Sequence, residues 1–201
     1  KIECTCSFVV LFGIFESTFA PIALESDYRI VKNDLRKTFP QDSICDECLL
    51  PFFDKRLKVN NDNHFYVLHL IGSHWRFNNR IPENFEKKFL PYCEEYWHDR
   101  CTTEELVNAY LNTLYYSDKV IDDLLSRLED KNAIVIYASD HGFSLKENGY
   151  FGNAYSGDNM PKEQLDIAMF AWASDKFIKN NPTLHQNIRK HQNTKISHDY
   201  I

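Results

Sequence analysis

The chain is 201 residues long, 43% hydrophobic and 14% aromatic, with a formal net charge of −6. Its length suits one domain over residues 1–201 without an internal boundary, and six glycines and seven prolines are too few and too scattered for a disordered chain. The acidic balance and the want of a Lys/Arg stripe exclude nucleic acid as a partner, since phosphates are neutralised from a basic face; the basic residues of 55–58 and 86–88 read as solvated surface.

In chain order, the first apolar run is Phe8–Phe15. It is too short to span a bilayer, and with Glu3 before it and no small-residue cleavage site after it, it reads as a buried strand rather than a signal-peptide core. Cys45 and Cys48 have C-x-x-C spacing. No second pair stands at finger-like spacing and the preceding 39–43 is a turn, so neither a structural zinc site nor a redox pair is indicated. Phe65–Ile71 is β-branched and aromatic, and ends in Gly72-Ser73-His74. Cys93 and Cys101 bracket a short polar loop that a disulfide would close in an exported protein; two free thiols are the alternative.

Thr102-Thr103-Glu104-Glu105 offers an N-cap and first-turn acids to a long helix. Its apolar positions are Leu106, Tyr110, Leu114, Ile121, Leu124, Leu125 and Leu128. Ala133–Ala138 then repeats the strand pattern and ends in Ser139-Asp140-His141-Gly142. A further strand is expected at Asp166–Ser174 and a helix at Pro182–Lys190. Apolar runs of this kind fit strands buried on both faces, and strand, helix, strand predicts a right-handed crossover in a parallel sheet. Ligands gather at the carboxyl ends of such strands, which would bring His74 and Asp140-His141 to one sheet edge.

Asp140 and His141 place an oxygen and an imidazole donor side by side at a strand rim, and zinc takes both types. Four of the six glycines fall at 142, 149, 152 and 157, where backbone can approach a ligand closely. No lysine and Ser/Thr stand in P-loop spacing. His69 reads as a packing residue within its strand, and His64, His98, His185 and His191 take no role. His198-Asp199 repeats the donor pair in reverse. A nucleophile is not evident: Glu16, Ser17 and Thr18 follow an apolar run but read as a simple turn, and no G-x-S-x-G occurs.

Several motifs in order resemble the bacterial phosphoethanolamine transferases of the alkaline phosphatase/sulfatase superfamily. They are Leu70–His74, Arg80-Ile81-Pro82, Phe89–Cys93, Asn108–Thr113, the long run Tyr137–Gly149, Pro161–Gln164 and Ser197-His198-Asp199. The resemblance covers most of the chain from about Phe12. It implies an α/β fold, the alkaline phosphatase-like three-layer sandwich with a mostly parallel sheet, here incomplete. It implies a catalytic domain at the periplasmic face of the bacterial inner membrane, in a parent protein anchored by membrane helices, although this chain has no span of its own. The implied reaction moves phosphoethanolamine from phosphatidylethanolamine to lipid A or another glycan acceptor, through zinc and a phosphothreonine, in a monomer. Asp140 and His141 would be zinc ligands, His74 would contact the phosphate or a second metal, and Cys93–Cys101 would match a family disulfide.

The departures are specific. The family's glutamate ligand and threonine nucleophile find no match, and Phe143 and Leu111 stand where acids are usual. Gly152-Asn153-Ala154 stands where a histidine is usual, and Cys4 and Cys6 fit no family pattern. The chain therefore reads as part of a longer protein, without its nucleophile and inactive alone. The alternatives are another phosphodiesterase of the superfamily, or a non-catalytic remnant that binds metal or a lipid headgroup; a sulfatase is disfavoured because no C-x-P-S-R run occurs.

Overall fold

A computed structural model describes residues 26–30, 32–38, 45–59, 63–153, 155–157 and 160–200, and 5–10 by their backbone. Cys4, Glu16, Ser17, Thr18 and Ala154 lie outside the described residues. The chain packs as two compact units, Lys1–Ile121 and Asp122–Ile201.

In the first unit, β1 (Thr5–Val10) is the middle strand of a parallel sheet, between β2 (Tyr28–Ile30) and β3 (His64–His69). The β1–β3 register runs from Thr5 opposite His64 to Val10 opposite His69. Helix α1 is Lys32–Thr38; a 3-10 turn at Asp46–Leu49 leads straight into α2 (Leu50–Leu57), whose start is favoured by Pro51. Ile30, Leu35, Leu49 and Phe52 form one core cluster, against which Tyr28, Leu68, Leu70 and Ile71 pack. Cys45, Ile81, Tyr116 and Val120 form another, flanked by Phe85.

Helix α3 (Thr103–Ser126) opens with a reciprocal capping box. The Glu105 carboxylate accepts from the Thr102 backbone N–H at 2.8 Å, and the Thr102 hydroxyl accepts from the Glu105 N–H at 3.2 Å. The buried face differs from the expected stripe: it includes Leu106, Ala109, Tyr116 and Val120 but also Asn112, Thr113 and Ser117, whereas Leu114 is exposed. Asn112 is buried because it is saturated. Its Oδ1 accepts from the N–H groups of Lys88 (2.8 Å) and Phe89 (3.0 Å), and its Nδ2 donates to the Phe89 carbonyl (2.9 Å).

In the second unit, β4 (Ile134–Ala138) pairs antiparallel with β7 (Met169–Ala173), Ile134 opposite Ala173 and Ala138 opposite Met169. The short strands β5 (Ser144–Leu145) and β6 (Phe151–Gly152) pair with each other, and the unit also holds α4 (Lys162–Leu165), α5 (Asp175–Asn180) and α6 (Pro182–Lys190). Ser174 fastens the ladder's open end: its hydroxyl donates to Lys131 O and accepts from the N–H groups of Ala133 and Phe177, the latter capping α5.

The strands expected at 65–71 and 133–138 are therefore strands, but not partners in one parallel sheet among the described residues. Nor is β4 buried on both faces. Its exposure alternates, with Ile136 56% exposed while Val135 and Tyr137 are half-buried. Tyr137 stacks on its cross-strand neighbour Phe170, ring centroids 5.2 Å apart. No helix among the described residues is long and apolar enough to cross a membrane.

Candidate metal centre

The turn after β4 is strapped on both sides. Ser139 N–H donates to Ala168 O (3.1 Å), and Gly142 N–H donates to Gln164 O (2.9 Å) at the end of α4. Glycine is required at 142 by close approach, since a Cβ there would lie 2.0 Å from the backbone oxygen of Glu163. Within the turn, the Ser139 hydroxyl donates to His141 O (2.8 Å) and the Asp140 carboxylate accepts the His141 N–H (3.0 Å).

This folding presents two donor atoms. Asp140 Oδ2 stands 3.7 Å from His141 Nε2, with side chains 68% and 38% exposed. The Gly142 carbonyl lies 2.8 Å from His141 Nδ1, and a carbonyl only accepts, so Nδ1 carries the proton and Nε2 is left with the lone pair. That is the tautomer a metal ligand needs. The Asn153 amide donates to Nε2 at 2.6 Å. His198 arrives from far along the chain, its Nε2 donating to Ser139 O at 2.8 Å.

Two ligands of a tetrahedral zinc at about 2.0–2.1 Å each lie roughly 3.4 Å apart, close to the spacing of this pair. The residues fit zinc as half of a ligand set; no group of three His, Cys, Asp or Glu placed to hold a metal occurs among the described residues.

His74 belongs to the first unit, where its loop is held from two sides. Ile71 and Gly72 donate their N–H groups to the two oxygens of Asp46, each at 2.9 Å. Arg80 donates from Nε to His74 O (2.8 Å) and from Nη2 to Trp75 O (2.9 Å). The His74 side chain is exposed, with Nδ1 at 2.5 Å from Trp75 O. Asp46 is 1% exposed, and burial pushes its carboxyl up to about 6, against the pull of the two N–H bonds and the Arg80 charge. Its neighbours Cys45 and Cys48 are buried and in no disulfide; burial first, then nearby charges, pushes Cys45 up to about 12, so it carries no thiolate for redox work. Cys93 and Cys101 form a disulfide, Cα–Cα 5.8 Å.

The structure thus gathers Asp140, His141, Asn153 and His198 in the second unit and fixes His74 in the first through Asp46 and Arg80. Asp46 and Asn153 carry no sequence signal of these roles, because each acts on residues distant in the chain.

Comparison with known proteins identifies the setting. The Sulfatase family profile matches residues 15–201. Phosphoethanolamine transferase EptA of Helicobacter pylori is 36% identical over 156 residues, which is 73% of this chain and 30% of that protein. The chain thus spans less than a third of that relative's length. Among solved structures, the soluble domain of lipooligosaccharide phosphoethanolamine transferase A from Neisseria meningitidis superposes with a TM-score of 0.83 at 28% identity, over 96% of this chain and 58% of that one. The same enzyme solved as an integral membrane protein is covered to 36%. The C-terminal periplasmic domain of Escherichia coli EptC, in complex with Zn, shares the fold with a TM-score of 0.73 at 21% identity, over 89% of this chain and 51% of that one. The chain belongs to the Sulfatase family, with an α/β fold of the alkaline phosphatase type, and within that family it is similar to the phosphoethanolamine transferases.

Proposed function

We propose that this chain supplies the zinc-binding pair Asp140–His141 of a phosphoethanolamine transferase, which moves phosphoethanolamine from phosphatidylethanolamine to lipid A or another surface glycan at the periplasmic face of the bacterial inner membrane. The observation that carries the reading is the pair itself, two donors 3.7 Å apart on a turn strapped at both ends, in a chain of this family. Zinc, when bound, supplies a Lewis acid that polarises phosphoryl oxygens and activates a hydroxyl. The protein's part is to hold the donors: Gly142 O sets the His141 tautomer, and the Ser139 and Gly142 bonds fix the turn. His74, presented by the Asp46–Arg80 clamp, is assigned to the phosphoryl group.

Among the described residues, the hydrogen-bond partners of Asp140 and His141 outside the pair are Ser139, Gly142 and Asn153, and no threonine is among them. No nucleophile for the phosphothreonine step is assigned among the described residues, and the chain tested alone is expected to bind zinc without turnover. Calorimetry should show zinc binding that Asp140→Ala and His141→Ala abolish; absence of binding, or binding indifferent to both, removes the metal assignment. Replacing the matching segment of the Helicobacter pylori relative by this chain should give a folded protein that releases phosphoethanolamine from phosphatidylethanolamine vesicles only when zinc is present. A zinc-loaded chimera without turnover sinks the transferase reading. That result would select a second one, a non-catalytic module that binds metal or a headgroup.

A further inference from the structure

In the first unit a cleft of about 290 Å³ opens beside the His74 loop, lined by Trp75, Arg76, Asn79, Arg80, Tyr96 and Trp97. Its two sides differ in chemistry. One is cationic: Arg80 is anchored by its bonds to the carbonyls of His74 and Trp75, and the Arg76 guanidinium lies 3.2 Å from the centroid of the Tyr96 ring. The other is aromatic. Tyr96 and Trp97 meet edge to face, centroids 4.7 Å apart, and are 51% and 57% exposed. Both walls are built rather than incidental. Tyr96 and Trp97 sit in the loop closed by Cys93–Cys101, Asn78 Nδ2 donates to Glu94 O within that loop, and Trp75 packs edge-on against Phe77 at 5.0 Å.

Two guanidinium groups facing one space repel each other. Burial first, and the Arg76 charge among the further causes, lowers the Arg80 pKa, while the charge of buried Asp46 opposes this. An anion entering the cleft relieves that repulsion, and guanidinium groups bind phosphate through paired N–H donors. The exposed indole offers an apolar face at the same opening. A pyranose needs one such face for its C–H side, whereas a nucleobase is held best in a parallel slot. Tyr96 and Trp97 pack edge to face, and the arginine covers the Tyr96 ring, so these two rings form no such slot.

We infer that this cleft is a binding site for a phosphorylated sugar, with Arg76 and Arg80 on the phosphate and Trp97 under the ring. Assigning that sugar to the acceptor rests on the transferase reading; the binding itself does not.

The test titrates the full chain with N-acetylglucosamine 1-phosphate, followed by tryptophan fluorescence and calorimetry. Saturable binding is expected, weakened at least about tenfold by Arg76→Gln and by Trp97→Ala, the losses that follow from removing a charged donor and an aromatic anchor. Inorganic phosphate and N-acetylglucosamine separately should each bind at least tenfold more weakly than the sugar phosphate. Affinity unchanged in either variant overturns the inference, as does tighter binding of adenosine monophosphate. Asp140→Ala should keep the sugar-phosphate affinity; its loss would place the ligand at the metal centre and overturn the assignment. Vesicles carrying lipid A that bind through Trp97 identify the lipid-borne acceptor. Binding of the free sugar phosphate alone keeps the site and removes the acceptor role. A chimera that fails to turn over leaves these titrations as they stand.

Discussion

Gly142 shows how narrowly the metal turn is set. A methyl group there meets the Glu163 carbonyl at 2.0 Å, backbone against backbone, so neither side can give by rotating a side chain. Gly142→Ala should cost at least the 1–3 kcal/mol typical of overpacking and weaken zinc binding by moving Asp140 and His141, read by urea unfolding and calorimetry. Asp46 makes a different prediction. Its carboxyl ordinarily titrates near 3.8 and stands near 6 in the fold, so between those values the folded chain keeps a proton that the unfolded chain has lost. The folded state is favoured most below the lower value and loses about 3 kcal/mol as pH rises through about 6. Unfolding of the protein and of Asp46→Asn, compared from pH 4 to 7, should show that slope in the former only. Neither residue's part was legible in advance. Asp140 and His141 are adjacent and follow an apolar run, so their position could be read, whereas Asp46, Asn153 and His198 act through contacts 25, 12 and 59 residues away.

At the scale of elements, periodicity located the long helix and the strands near 65–71, 133–138 and 166–174, because a side-chain period is local. Pairing is not local. An apolar strand reads alike beside a parallel or an antiparallel neighbour, so the sequence could not tell that, among the described residues, β3 pairs with β1 and β4 with β7. The end of β3 shows a related effect: the apolar run continues to Ile71, but the Ile71 and Gly72 amides turn to Asp46 and the strand stops at His69. The start of α3 was legible because Thr102 and Glu105 form a box within four residues. Thr102→Ala should lower stability by about 0.5–2 kcal/mol, measured as a shift in the unfolding midpoint.

For the whole molecule, the family and its α/β fold were legible from an ordered series of motifs, which single residues could not have supplied. The metal, if held by Asp140 and His141, is linked to folding by mass action. Zinc at a hundred times its dissociation constant should add about 2.7 kcal/mol to stability, and His141→Ala should abolish that gain without lowering stability in metal-free buffer to the same extent. The absence of any zinc effect on the unfolding midpoint would count against ligation, whatever the enzymatic result.

The Asp46 clamp has a consequence for the medium in which the protein works. Two consecutive amides, with Gly72 left-handed at φ +54°, make the kind of concavity that elsewhere captures free phosphate or sulfate. Here the anion is tethered to the chain, so it is always present at high effective concentration and never exchanges. The loop carrying His74 is thereby insulated from the ionic composition around it, and a small anion drawn to this region must bind at the arginines rather than displace the Asp46 carboxylate from its two amides.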